Sequence, residues 1–190
     1  MTAEPIGTTL DKLREVLSFL GTPSIQRKIS NNTMVYKMQC TFPPETPLKL
    51  KIEINCKEHF SLLGYKKLTY GVTNGWFSDD CDIVTFNFNE LIGTKLRALY
   101  QRRKGRDLFD LYLAASSPFL DSTLVIDCFR RYMEFSNGKI PSSKEYSINL
   151  AAKMKVPQFL KDMDGIIRPG FDYDPFTAFE AVKEVFIYNL

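Results

Sequence analysis

Residues 95–110 read KLRALYQRRKGRDLFD, and this stretch sets the architecture of the second half of the chain. Leu96, Leu99 and Tyr100 recur at amphipathic-helix spacing, Gly105 interrupts, and Asp107 and Asp110 open a second helix. With Leu91 at zero and about 100° per residue, Leu91, Ile92, Leu96, Ala98, Leu99 and Tyr100 span an arc from about −20° to 180°. Lys95 falls at about 40° and Arg102 at about 20°, inside that apolar stripe, while Thr94, Arg97 and Gln101 take the outer face. A charge among apolar side chains is costly unless it is paired, so the position marks Lys95 as a candidate functional group. Two readings are open. Either the lysine stem covers apolar surface while its ammonium reaches water, or the ammonium is a fixed point charge for an anion, most naturally a phosphate.

The neighbouring charges carry the same ambiguity. Lys95, Arg97, Arg102, Arg103, Lys104 and Arg106 put six basic groups into a dozen residues. Such a run is a solvated face or a phosphate-handling surface. Asp107 and Asp110 stand where the helix macrodipole favours acids, and they are also placed to pair with Lys95, Arg102 or Arg103. Gly105 is expected to let the chain turn sharply between the helices.

Upstream, a helix is expected over residues 8–20, where Leu10, Leu13, Leu17 and Leu20 share a face, Thr8 or Thr9 caps the start and Gly21 the end. Period-two alternation predicts strands over 34–42 and 48–55, joined as an antiparallel hairpin through the proline-rich turn 43–47, and a third strand over 82–88. Lys51, Glu53 and Asn55 lie in a row on the polar face of the second strand. Charge is depleted in strand interiors, so Glu53 is either part of a solvated face or a carboxylate presented for metal-dependent phosphoryl transfer. Downstream, helices are expected over 89–103, 106–115 and 122–136, the last stopping at Asn137-Gly138. Ser142 and Glu145 form a capping box, a short helix runs over 156–163, and Asp174-Pro175 opens the last helix. The order predicts an α+β chain: a small sheet-containing part, 1–88, then a helical bundle, 89–190.

Composition bounds the rest. At 190 residues, 44% apolar and 13% aromatic, the chain can build a core and is not a disordered sequence. A net charge of +3 is too small for nucleic-acid binding by bulk charge. Cys40, Cys56, Cys81 and Cys128 have no zinc-ligand spacing, and with no signal peptide recognisable they are expected to be free thiols in the cytoplasm. The lone histidine, His59, is expected to be incidental. No apolar run approaches the ~20 residues that span a bilayer. Asp80-Cys81-Asp82 lacks a Gly-Ser lead-in and is not expected to be a metal motif; Asp79 and Asp80 are expected to form a turn before the strand.

LKLKIEIN followed by NELIGTKLRALYQRRKGRDLFDLY closely resembles the AbiEii/AbiGii toxin family of abortive-infection and toxin–antitoxin systems. The family's late motif, a lysine and then Lys/Arg-x-Arg/Lys-Asp-x-x-Asp, falls on Lys95, Lys104, Arg106, Asp107 and Asp110. Its strand acid falls on Glu53. The resemblance implies a small nucleotidyltransferase-like mixed sheet, and metal-dependent transfer of a nucleotide from an NTP to an RNA, such as tRNA, or a protein acceptor. It implies Lys95, Asp107 and Asp110 as catalytic residues and Lys51, Arg102, Arg103, Lys104 and Arg106 as substrate contacts. Glu53 would be a Mg2+ ligand and an antitoxin the protein partner. The family's early glycine loop and Asp-x-Asp should precede residue 1. The sequence is therefore expected to begin after its metal motif and to have little or no transfer activity. The rival expectations are a non-catalytic RNA- or protein-binding module, or a vestigial remnant in which a homodimer covers an exposed sheet.

Overall fold

A computed structural model describes residues 6–41, 44–58, 60–136 and 138–190. Residues 1–5, Phe42 and Pro43 of the expected hairpin, His59, and Asn137 of the expected helix stop lie outside the described residues. The chain divides into two units, Met1–Phe60 and Ser61–Leu190.

In the first unit, α1 (Ile6–Val16) and a 3-10 turn (Ser18–Leu20) occupy the expected 8–20 helix. They are followed by β1 (Ser24–Arg27), β2 (Asn31–Gln39) and β3 (Pro47–Asn55), paired antiparallel in the order β1-β2-β3. The alternation buries one face along β2 and the second half of β3, while Leu48 and Leu50, expected on that face, are exposed. Met34 and Tyr36 of β2 are fully buried with Leu10 of α1, and Ile52 and Ile54 of β3 pack against them. Lys49, Lys51, Glu53 and Asn55 point outward. The short strand β1, sequence SIQR, carries a single apolar residue, Ile25, so it gave no periodic signal.

The second unit begins with a hairpin of β4 (Tyr65–Thr73) and β5 (Ser78–Phe86). Only residues 82–88 were expected as strand. Nearly every position of the hairpin is exposed, so no buried face imposed an alternation on the sequence. Asp79 and Asp80, expected in a turn, lie within β5. The hairpin belongs with the helices because β5 runs directly into α2 (Phe88–Gln101), where Asn87 caps by accepting from Asn89 N–H. Next come α3 (Gly105–Ala115), α4 (Ser122–Phe135), α5 (Ser143–Lys153), α6 (Pro157–Leu160) and α7 (Pro175–Val185). The caps match the sequence: both capping-box bonds join Ser142 and Glu145, and Asp174 accepts from Thr177 N–H ahead of Pro175. Leu96, Leu99, Leu108, Leu111, Val125 and Phe129 form the centre of this unit's core. A Cβ on Gly93 would lie 2.7 Å from Cys128 Cβ, so this glycine lets α2 and α4 approach closely.

The class is α+β, and every strand pairing among the described residues is antiparallel rather than mixed. All four cysteines are free thiols. No described helix is long and apolar enough to cross a membrane.

Candidate functional site

The basic turn joins α2 to α3 through Arg102, Arg103 and Lys104. A Cβ on Gly105 would lie 2.0 Å from the carbonyl oxygen of Phe159. The glycine is therefore needed for space, and not for the left-handed backbone of a sharp turn. Asp107, in the first turn of α3, has no exposed surface. Arg102 closes on it as a fork, with Nε 2.6 Å from Oδ2 and Nη2 2.7 Å from Oδ1. These bonds hold the guanidinium above its ordinary pKa, against the opposing effect of burial. Lys95 Nζ lies 2.6 Å from Asp110 Oδ2 and 3.6 Å from Asp107 Oδ1. The structure thus brings together four of the predicted residues, as two acids neutralised by two bases.

The end of α2 is braced from behind. Tyr146 donates to Leu96 O at 2.7 Å, and the buried Lys153 of α5 donates to the carbonyls of Leu99 and Tyr100. Burial pushes the Lys153 ammonium down to about 8; Arg103 acts in the same direction and Asp107 opposes it. This brace fixes the helix turn that carries Lys95 and Arg102.

The buried arc of α2 is turned relative to expectation. Leu99, Ile92, Leu96, Asn89, Gly93 and Glu90 are buried, which spans about 80° to 260° on the same wheel. Leu91, expected inside, is 38% exposed. Lys95 therefore sits at the margin of the core, its side chain 30% exposed. With Asp110 it borders an open groove of about 440 Å3 whose other walls include Phe88, Leu91, Ile92 and Leu113.

The remaining predicted residues are elsewhere. Arg106 is held at the α3 start, its N–H donating to Asp162 Oδ2 at 3.1 Å with its Nε 3.8 Å from the same oxygen. Arg103 and Lys104 are exposed at the turn. Lys51 and Glu53 lie in the first unit, where Lys51 Nζ is 2.6 Å from Glu53 Oε1. Mg2+ wants several oxygens in near-octahedral array. Glu53 offers one carboxylate already held by a lysine, and no cluster of three or more His, Cys, Asp or Glu placed for a metal occurs among the described residues. The donor set described does not fit a resident Mg2+.

Sequence reasoning missed Glu90, which is fully buried. Its carboxylate accepts from Ser61 Oγ (2.7 Å), Leu62 N–H (2.8 Å), Leu63 N–H (2.9 Å) and Tyr132 OH (2.7 Å). Burial alone would raise its pKa; the four donors outweigh that and hold it below the ordinary glutamate range.

The family model described as "Nucleotidyl transferase AbiEii toxin, Type IV TA system" matches residues 5–185. The chain belongs to the AbiEii family. Comparison with curated proteins and with solved structures gives no match. Membership makes this a nucleotidyltransferase-like toxin of the toxin–antitoxin type, and the match includes the whole Lys95–Asp110 constellation. In this AbiEii chain the constellation lies within one unit, on two helices whose junction is closed by Arg102 and Asp107.

Proposed function

We propose that this chain binds the triphosphate of an NTP at Lys95, for transfer of the nucleotide to an RNA or protein acceptor in the cytoplasm, under control of a cognate antitoxin. The observation that carries the reading is the Lys95 ammonium at the rim of the groove, 2.6 Å from Asp110 and backed by the buried Asp107. An incoming phosphate takes the place of the Asp110 carboxylate on Lys95. The Arg102–Asp107 fork stays closed and keeps the lysine's surroundings in place. Asp110, released, accepts the proton of an acceptor hydroxyl as that oxygen bonds the α-phosphorus and pyrophosphate leaves. Mg2+ enters with the triphosphate as part of the substrate, and no step is assigned to Glu53. Arg103 and Lys104, exposed at the turn, suit the backbone of an RNA acceptor.

Equilibrium binding of a fluorescent NTP with Mg2+ to the full chain tests this. A charge-assisted contact is worth about 1.5–3 kcal/mol, so Lys95→Ala is expected to weaken binding by roughly ten- to a hundredfold. Asp110→Asn removes the competing carboxylate and is expected to tighten binding severalfold. Equal affinities for the three proteins would sink the reading. Exposure of Arg103 and Lys104 also supports a second reading, RNA binding without transfer. It predicts steeply salt-dependent RNA binding that survives Lys95→Ala and is lost on charge reversal at the turn.

A further inference from the structure

The β4–β5 hairpin is the feature that the nucleotidyltransferase reading leaves unexplained. Among the described residues no further strand pairs with either of its edges. A two-stranded ribbon alone is marginal in water, so its faces call for a cover. The register separates the two faces. Thr69 pairs with Asp82 and Gly71 with Asp80 on one, which is mostly polar. On the other, Leu68 pairs with Ile83 and Tyr70 with Cys81. Leu68, Tyr70 and Ile83 are 59%, 57% and 45% exposed, a contiguous apolar patch of the kind that marks an interaction site.

Three features of that face identify its occupant. Its ends carry opposite charges: Lys66 at the foot, in the row of Thr85, and Asp79 near the tip, in the row of Val72. The tip presents Trp76, 96% exposed, on a turn fixed by Asn74 Oδ1, which accepts from the N–H groups of Trp76 and Phe77 at 2.9 Å. The foot opens into an apolar groove of about 490 Å3, walled by Leu68, Phe88, Leu91 and Phe119. Knob and hole therefore sit at opposite ends of one hairpin, as do the cation and the anion.

A two-fold axis passing through the Thr69–Asp82 row satisfies all three at once. It exchanges the Lys66 row with the Asp79 row, and the tip with the foot. We propose that this face docks antiparallel on the same face of a second copy of the chain, with Trp76 of each copy seated in the foot groove of the other. Leu68, Tyr70 and Ile83 then form the centre, about 10 Å sheet to sheet, and Lys66 of each copy reaches Asp79 of its partner. A foreign partner would have no need of a surface complementary to itself; an isologous dimer requires one.

The test is sedimentation of the full chain over a range of concentrations, with tryptophan emission recorded alongside. Trp76 is the chain's only tryptophan, so its emission reports the proposed contact directly. A dimer whose formation shifts the emission to the blue is expected. Trp76→Ser, at an exposed tip where folding is not at stake, is expected to weaken it by at least roughly a hundredfold. Asp79→Lys is expected to weaken it, and the double change Lys66→Asp with Asp79→Lys to restore it. A monomer at every concentration overturns the proposal. So does a monomer with emission already blue-shifted, which would mean that the chain covers the face itself. A dimer indifferent to Trp76→Ser, or not restored by the double change while its circular dichroism matches that of the parent, overturns it as well.

Discussion

Replacing Glu90 by glutamine removes a charge while keeping nearly the same shape, and the geometry fixes what that costs. Each carboxylate oxygen accepts one backbone N–H and one hydroxyl: Leu62 N–H with Tyr132 OH on Oε1, and Leu63 N–H with Ser61 Oγ on Oε2. A glutamine amide supplies one oxygen and one NH2. Whichever way it is flipped, the hydroxyl on the nitrogen side can rotate to accept, but the backbone N–H there cannot. One buried donor is left facing another, at about 1–3 kcal/mol, and the surviving bonds lose their charge assistance. Relief of the buried carboxylate's desolvation offsets part of this. A net loss of about 2–3 kcal/mol follows, or roughly 5–10 °C in melting temperature for a chain of this size. The assay is urea and thermal unfolding of the two proteins across pH. Glu90's folded-state pKa is depressed, so its contribution is full above the ordinary glutamate range and is lost as pH falls through the folded value. The gap between parent and Glu90→Gln must therefore close under acid. A loss within about 0.5 kcal/mol at neutral pH, or a gap indifferent to acid, would refute the reasoning.

Two further outcomes are expected. Gly105→Ala forces a methyl to within 2.0 Å of the Phe159 carbonyl, so the α3 start or α6 must shift; destabilisation of about 2 kcal/mol or more is expected in denaturant unfolding, with weaker NTP binding. Lys153, at about 8 when folded, titrates below its unfolded value. Above that pH the unfolded chain binds the extra proton, so the parent gains stability relative to Lys153→Met between about pH 8 and 10, by up to about 3 kcal/mol. Parallel stability curves for the two proteins would show that Lys153 is not under that strain.

The helices were legible because their signals are local. Caps at Asp174 and the Ser142–Glu145 box, and leucines at helical spacing, are carried by residues within a turn or two of one another. The β2–β3 pair was legible because a buried face imposed alternation on it. Strand β4 lacked any such face. The family motif was legible as residue types at fixed spacing, and it contained Lys95, Asp107 and Asp110 of the constellation; Arg102 was marked by its place on the apolar stripe of the helical wheel. Sequence did not determine which way α2 faces. Periodicity gives the width of an apolar stripe, while the centre of the buried arc depends on what packs against the helix. Here α4 approaches over Gly93, and the 61–63 loop folds onto Glu90, which at about 260° on the wheel lies outside the expected apolar arc. That rotation carries Lys95 from the middle of a stripe to the rim of a groove, and only the tertiary structure could show that its ammonium meets Asp110 there.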